Sequence, residues 1–422
     1  MHAEILTIGD ELTRGEIVDT NSAWLAAQLW DLDVTVRWMT SCCDDEHDLR
    51  AALLTAAARA DLVVCSGGLG PTEDDLTVDV VARATGADVV IDEPARARLE
   101  AFMASRGRTV SPVNLRQARV PRGARVHANP AGLAPGFEVL IGGTPVICLP
   151  GVPRELHAIF EGSLRGHIAQ LRLARGVSPR IARRTYRVFG RAESQASEAL
   201  RGLVDRVPGA SIHYQVKFPE VLVKLVVRDP DIAAAEERLL QLEAQVVDRL
   251  GDWIYGIGDD PLPLVTGRAL LVEAQTVAVA ESCTGGLLGA LLTELPGSSG
   301  YFAGGAVAYA NREKVRQLGV REETLAAHGA VSEETATEMA RGALELFATD
   351  IAIAITGIAG PDGGTPAKPV GTVWLARALK DGTVTTFQLR WPGARDQVRL
   401  LAAWWGLKMI YDVVRPRGEA VS

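Results

Sequence analysis

Along the first 170 residues, short β-branched and aliphatic runs alternate with stretches of helical period. AEILTIG (3–9) predicts a strand, TNSAWLAAQL (20–29) an amphipathic helix, DVTVRWM (33–39) a strand, HDLRAALLTAAARA (47–60) a helix and DLVVCSGG (61–68) a buried strand. FEVLI and PVICL flank the turn Gly142-Gly143, and PGVPRE enters a further helix near Arg154. The texture changes between residues 180 and 253: a strand (RTYRVFG), a helix over 194–204, two alternating strands (SIHYQV, EVLVKLVV) and a long helix over 232–250. GIGDDPLPL has linker chemistry, and beyond it helix and strand alternate again, with strands TVAVA, GGAVAYA, DIAIAIT, GTVWLARA and VTTFQL, a helix capped by Ser332 and a closing helix from Ala394. Strand–helix alternation is the signature of sheets wrapped by helices. The pattern therefore predicts two α/β domains, 1–172 and 264–422, joined by a small α+β middle domain over 173–255 and a linker over 256–263.

Composition narrows what such a chain does. Its 422 residues are 47% hydrophobic and 23% charged, enough apolar material for several cores, and the net charge of -8 gives no global attraction to nucleic acid or anionic lipid. No apolar window is long enough to span a membrane, the start lacks the marks of an export signal, and five cysteines without CxxC spacing fit a reducing cytoplasm. The order of elements in the middle domain resembles small nucleic-acid modules of the KH type, but it has no Gly-x-x-Gly clamp and its arginines are offset by acids. A spacer or dimerisation role is the expectation there.

Candidate chemistry concentrates in two places. AESCTGG (280–286) falls where a buried strand hands over to a helix, so Ser282, Cys283 and Thr284 would meet backbone N–H groups able to stabilise an oxyanion. Standing alone, the segment also reads as a capped helix start after a glycine turn. The one histidine beyond residue 262, His328, leaves a Ser-His-Asp triad poorly supported, whereas a lysine desolvated enough to lose its charge can act as base. Lys314 in YANREK is the candidate, with an exposed helix lysine as the plain alternative. The long loop TGIAGPDGGTPAKPVGTV (356–373) offers glycine amides and Lys368 to a phosphate, and GARDQVR (393–399) places Arg395 and Arg399 on one helix face.

In the N-terminal part, Gly9-Asp10-Glu11 and SGGLGPTEDD (66–75) both follow strands, and in an open α/β sheet that edge binds ligands. The glycine loop suits a phosphate or pyrophosphate, and Asp10, Glu11, Asp74 and Asp75 could offer oxygen ligands to Mg²⁺ or a similar ion; capping of the next helix by Asp74 and Asp75 is the alternative. Neither a P-loop nor a dinucleotide fingerprint is present.

Taken together, AESCTGG, YANREK, GAVSEETATEMA and TGIAGPDGGTPAKPVGTV resemble the C-terminal domain of the CinA family, the nicotinamide mononucleotide deamidases. The resemblance implies conversion of nicotinamide mononucleotide to nicotinic acid mononucleotide and ammonia without a cofactor. It places the nucleophile on Ser282 and the general base on Lys314, with Tyr309 and Asn311 positioning the pair. Thr284, Gly285, Gly286, Thr356, Gly357, Gly360, Lys368, Arg395 and Arg399 would bind substrate. TIGDELTRGEIVDTNS, SGGLGPTEDDLT and PGVPRE resemble the N-terminal half of the same family, which is similar to the MoaB and MogA molybdopterin-binding fold. That half implies ADP-ribose hydrolysis to AMP and ribose 5-phosphate with a divalent cation. Gly67, Gly68, Gly70 and Thr72 would cradle phosphates, Asn21 and Glu155 match further motif positions, and Asp10, Glu11, Asp74 and Asp75 would manage metal and water. The family also suggests a homodimer. Two alternatives stay open: an N-terminal module that binds a molybdopterin-type phosphate without hydrolysing anything, and an adaptor linked to competence or DNA damage, which the acidic balance counts against.

Overall fold

The computed structural model describes residues 1–176 and 180–415. The chain forms two compact units, Met1–Ser178 and Pro179–Ser422.

The first unit is built on a six-stranded sheet in the spatial order Thr35–Cys42, His2–Ile8, Leu62–Ser66, Thr144–Leu149, Gly136–Ile141 and Arg125–His127. The first four strands run parallel and the last two antiparallel. Successive residues of a strand point to opposite faces, and here both faces are covered, which is why the central strands read as unbroken apolar runs. Leu6, Val63, Cys65, Val146 and Cys148 pack with Leu49 and Leu53 of helix Glu46–Arg59 and with Val81 of helix Thr77–Thr85. Their neighbours Ile5, Leu62, Val64, Ile147 and Leu149 face Leu25 and Leu29 of helix Thr20–Asp31 and Leu156 and Ile159 of helix Pro153–Ile159. The helices Thr77–Thr85 and Glu93–Ala104 and the strand pair Val89–Ile91 with Arg119–Pro121 lie beyond what the hydrophobic pattern indicated.

The first unit does not stop at residue 172. Helix Arg165–Ala174 runs through it, because Ile168 is buried in the core of this unit and the buried Arg172 pairs with Asp33 at 3.3 Å.

The second unit carries two sheets. The smaller is antiparallel throughout, in the order Ala210–Lys217, Glu220–Asp229, Arg180–Phe189 and Ile254–Ile257. The apolar stripe Ala235, Leu239, Leu242 and Val246 of helix Ile232–Leu250 packs against it. The larger sheet has the order Phe302–Val307, Val277–Glu281, Ile351–Gly357, Thr372–Leu379 and Val384–Arg390, the first three strands parallel. Ile351, Ile353 and Ile355 face the closing helix Arg395–Val414, whereas Ala352 and Ala354 face Ala336, Ala340 and Ala343 of helix Glu333–Phe347; small residues on both sides let that helix approach closely. Ser332 caps that helix, accepting from the Thr335 amide at 3.2 Å.

The smaller sheet keeps its own core with helix Ile232–Leu250 and also sends side chains into the core of the larger one. Residues 256–263, expected as a linker, contain the end of strand Ile254–Ile257 and the start of helix Leu262–Val272. The short connection between them is held by the buried Arg187, whose Nε and Nη2 donate to the carbonyls of Gly258 at 3.0 Å and Asp259 at 2.8 Å. Phe189 and Tyr255 of the smaller sheet pack into the same cluster as Trp404. No helix among the described residues is long and apolar enough to cross a membrane.

Candidate functional site

Three parallel strands of the larger sheet end side by side at Glu281, Val307 and Gly357, and the segments that follow them converge. Glu281 is fully buried, and its carboxylate accepts from the amides of Gly286 at 3.0 Å, Leu288 at 3.1 Å and Gly289 at 2.8 Å. A buried carboxylate held by three N–H donors ties the turn to the start of helix Leu287–Leu292. Gly285 and Gly286 take the left-handed backbone conformation that the turn needs, at φ 62° and 95°. The Gly285 amide closes back on the Ser282 carbonyl at 3.0 Å, and Arg399 Nη2 donates to the Thr284 carbonyl at 2.8 Å. Among the described residues, no carbonyl or carboxylate takes the amides of Cys283 and Thr284. The oxyanion function expected of the whole turn therefore narrows to those two amides, with Gly285, Gly286 and Arg399 shaping the turn from behind.

Lys314 lies on helix Asn311–Leu318 and is 1% exposed, not a surface lysine. Its Nζ is 3.1 Å from Ser282 Oγ, 2.8 Å from the Ala308 carbonyl and 3.2 Å from the Tyr309 carbonyl. Burial pushes its pKa below the ordinary lysine value of 10.5. A neutral amine keeps two hydrogens, which the two carbonyls accept, and its lone pair then faces the Ser282 hydroxyl. Cys283 behaves oppositely: burial pushes its thiol up to about 12, so a thiolate is disfavoured near neutrality.

Ser282, Cys283, Tyr309, Asn311, Lys314, Thr356, Gly357, Gly360 and Arg395 all line one cavity of about 290 Å³. Arg395 is fixed across its mouth, donating from Nη1 to the Gly360 carbonyl at 2.7 Å and from Nη2 to Tyr309 Oη at 3.1 Å. Thr356 Oγ1 donates to the Ala330 carbonyl at 2.7 Å. Thr284, Gly285, Gly286, Lys368 and Arg399 are not among the lining residues. Lys368 Nζ is bound to the His328 carbonyl at 2.7 Å, and the His328 ring faces Glu334 at 3.3 Å.

In the first unit the ends of the four parallel strands form one edge. Gly67, at φ 117°, lies so close to the first strand that an added Cβ would stand 2.2 Å from the Ile8 carbonyl oxygen. The glycine loop closes largely on itself. The Gly67 amide donates to the Leu149 carbonyl at 3.0 Å, and Asp75 accepts from the amides of Gly70 at 2.7 Å and Thr72 at 2.8 Å and from the Thr72 hydroxyl. Both Asp75 oxygens are thus engaged by the loop, which sets this residue apart from the expected metal group, and of the four expected cradle residues only Gly68 keeps its amide clear of these bonds. Asp10 bonds Arg14 and exchanges backbone-to-carboxylate hydrogen bonds with Asp44, at 2.9 Å and 3.2 Å. Burial, with the charges of Asp10, Glu11 and Asp74 behind it, raises the Asp44 carboxyl, against the Asp10 amide that lowers it. Asn21 Nδ2 donates to Ser66 Oγ at 2.9 Å and the Gly151 carbonyl at 2.8 Å, while its buried Oδ1 has no partner among the described residues. Glu155 accepts from the Asn129 amide nitrogen at 2.6 Å.

Comparison with known proteins bears on the whole chain. Residues 260–414 match the family model of the CinA C-terminal domain, 183–256 that of the damage-inducible protein CinA KH domain, and 4–170 one described as "Probable molybdopterin binding domain". A CinA-like protein of Anaeromyxobacter dehalogenans is 45% identical over 417 residues, covering 98% of this chain and 100% of its own length. The chain belongs to the CinA family. A CinA-like protein of Geobacter sulfurreducens is 42% identical over 408 residues, covering 96% of this chain and 97% of its own. The crystal structure of the competence/damage inducible protein CihA from Agrobacterium tumefaciens is 40% identical, covers 36% of this chain and 96% of its own, and has a TM-score of 0.35.

Three residues of this CinA chain enter the sites without having been singled out by pattern. Glu281 reads as an ordinary acid in AESCTGG, and only its burial reveals that it organises the turn. Asp362, in the loop 356–373, lines the cavity beside Arg395. Asp44 belongs to the segment CCDDE, which no motif marked, and joins Asp10 only because adjacent parallel strands bring Ile8 and Cys42 into register.

Proposed function

We propose that the C-terminal site is a serine amidohydrolase acting on nicotinamide mononucleotide. The observation that carries this reading is the Ser282–Lys314 pair, buried beneath a cavity with two free amides beside the nucleophile. Ser282 Oγ attacks the carboxamide carbon while Lys314 Nζ takes its proton. The carbonyl oxygen gains the negative charge next to the Cys283 and Thr284 amides, a kind of stabilisation worth about 3 to 4 kcal/mol per donor. Collapse breaks the carbon–nitrogen bond, and Lys314 returns the proton to the departing nitrogen, releasing ammonia and leaving an ester on Ser282. Water, deprotonated by the same amine, cleaves the ester and frees nicotinic acid mononucleotide. Arg395 supplies a cationic fork for the substrate phosphate at the mouth. Release of ammonia from nicotinamide mononucleotide by the purified chain, and its loss in Ser282→Ala, tests the reading; an inert wild-type protein overturns it.

The first unit extends the proposal to ADP-ribose. Asp10, Glu11, Asp44 and Asp74 offer hard carboxylate oxygens at this strand edge, Asp10 and Asp44 joined by reciprocal backbone-to-carboxylate hydrogen bonds, and oxygen donors of this kind suit Mg²⁺ or a similar cation. When bound, the cation would supply charge neutralisation for a diphosphate. The chain's own contribution is the Gly68 amide, the unpartnered Asn21 Oδ1 and an edge narrowed by Gly67. A second reading, a binding module for a pterin phosphate, is favoured by the molybdopterin-binding model matched over 4–170. Formation of AMP from ADP-ribose that stops with a chelator supports the hydrolase; a pterin in the native mass spectrum without turnover supports the module. A homodimer is part of the same proposal, and sedimentation as a monomer at micromolar concentration counts against it.

A further inference from the structure

The smaller sheet of the second unit has no role in the chemistry proposed above, yet its hairpin tip and the end of one of its strands pack on the helix that carries Arg395 and on the residues just before it. The hairpin joining Ala210–Lys217 to Glu220–Asp229 turns at Phe218-Pro219, and the Phe218 ring packs on Trp391 with centroids 5.8 Å apart. Trp391 immediately follows strand Val384–Arg390 and stands four residues before Arg395. Its amide donates to the Gly371 carbonyl at 3.0 Å, and Gly371 ends the loop whose first part lines the cavity. The contact at Gly371 is tight: an added Cβ would stand 1.8 Å from the Trp391 carbonyl oxygen. On its other side the indole lies against Gly393, where an added Cβ would meet Nε1 at 2.3 Å. Trp391 is therefore wedged between the cavity loop and the start of the helix that presents Arg395.

A second contact holds the same helix further along. Phe189 packs on Trp404 and Trp405, with centroids 5.5 Å and 5.0 Å apart. The hairpin tip is itself anchored. Glu220, next to Pro219, is 2% exposed and pairs at 2.7 Å with Arg187, the residue that grips the Gly258 and Asp259 carbonyls. Buried pairs of this kind fix geometry more than they stabilise.

We infer that the smaller sheet acts as a clamp on the phosphate-binding end of the deamidase site, with Phe218 as a positioning residue that acts through Trp391 on Arg395. The inference rests on the deamidase reading for its consequence in catalysis, but not for its structural content. Losing the ring frees Trp391 and lets the Arg395 helix start fray, which weakens substrate binding while leaving Ser282 and Lys314 in place.

The test uses the full-length chain carrying Phe218→Ala. Hydrogen exchange followed by mass spectrometry should quicken about tenfold in peptides covering residues 388–398 and stay unchanged over 281–289. The KM for nicotinamide mononucleotide should rise about fivefold with kcat within about twofold, Phe218→Tyr should restore both, and Phe218→Ala should add nothing in an Arg395→Ala background. Unchanged exchange over 388–398, or an equal KM increase with and without Arg395, overturns the inference. If the wild-type protein releases no ammonia, the deamidase reading fails and the exchange result alone decides the clamp.

Discussion

Lys314 Nζ stands 3.1 Å from Ser282 Oγ, and its other two contacts are backbone carbonyls. No carboxylate is among them, so nothing in this set favours the charged amine over the neutral one as strongly as burial opposes it. Ser282→Ala removes the attacking atom and Lys314→Ala the base. Each should lower ammonia release by about 10²- to 10⁴-fold or more with little change in fold. Cys283→Ala should stay active, because its thiol is held near 12 by burial. Activity lost only in the cysteine variant would reverse the assignment of nucleophile.

The same pair sets a pH dependence. A base must be deprotonated to act, so kcat/KM should fall as pH drops through the Lys314 pKa and level off above it. Burial lowers that pKa from 10.5, and the rising limb should therefore lie below the ordinary lysine range. A rate that keeps climbing to pH 10.5 would show an unperturbed lysine.

Glu281 is expected to matter without touching substrate. Glu281→Gln puts an N–H₂ group where three amides already point, so at least one donor meets a donor. The loss should be about 3 kcal/mol in stability of the second unit, since bonds to charged acceptors in buried surroundings are the strong ones. The turn that shapes the Cys283 and Thr284 amides would shift with it, so kcat should fall more than KM rises. Denaturant unfolding and steady-state kinetics on one preparation measure both; wild-type values in each would remove Glu281 from the site.

The strands and helices that carry these groups were legible because burial on one or both faces imposes a period that sequence displays. Val277–Glu281 and Ile351–Gly357 stand out for that reason, and so does the turn after the first of them, since two consecutive glycines allow the left-handed backbone a tight turn needs. Hydrogen-bond allegiance was not legible. Asp75 and Asp74 are adjacent acids in the same loop, and no pattern distinguishes the one whose oxygens face Gly70 and Thr72. Lys368 and Arg395 are both cations near glycine-rich segments, yet one is spent on the His328 carbonyl and the other lines the cavity. Such choices follow from where two distant segments meet, which is also why the packing of Phe189 and Tyr255 of the smaller sheet on Trp404 escaped a reading based on local texture.

Asp75 should thus behave as a structural residue. Asp75→Ala deletes three hydrogen bonds that close the loop 67–75, lowering stability of the first unit by about 2 to 4 kcal/mol. The drop should be the same with and without divalent cation. If the variant instead keeps its stability and loses only the stabilisation given by Mg²⁺, Asp75 belongs with the metal group after all.

Asp44 should show the opposite behaviour. Its carboxyl is raised above the usual value, so between the unfolded and folded values the folded chain holds a proton that the unfolded chain has released. Ionisation above the folded value therefore works against folding, and stability gained on acidification is lost again as pH rises. Asp44→Asn removes the charge while keeping an acceptor for the Asp10 amide, so the first unit should become more stable at neutral pH without added cation. A divalent cation bound among Asp10, Glu11, Asp44 and Asp74 would offset the cost of that half-buried negative charge, and it should raise the unfolding temperature of the wild type more than that of Asp44→Asn. Thermal unfolding with chelator and with Mg²⁺, at neutral pH and near pH 5, separates these effects. An equal Mg²⁺ shift in both proteins would mean that the cation, if it binds, binds elsewhere.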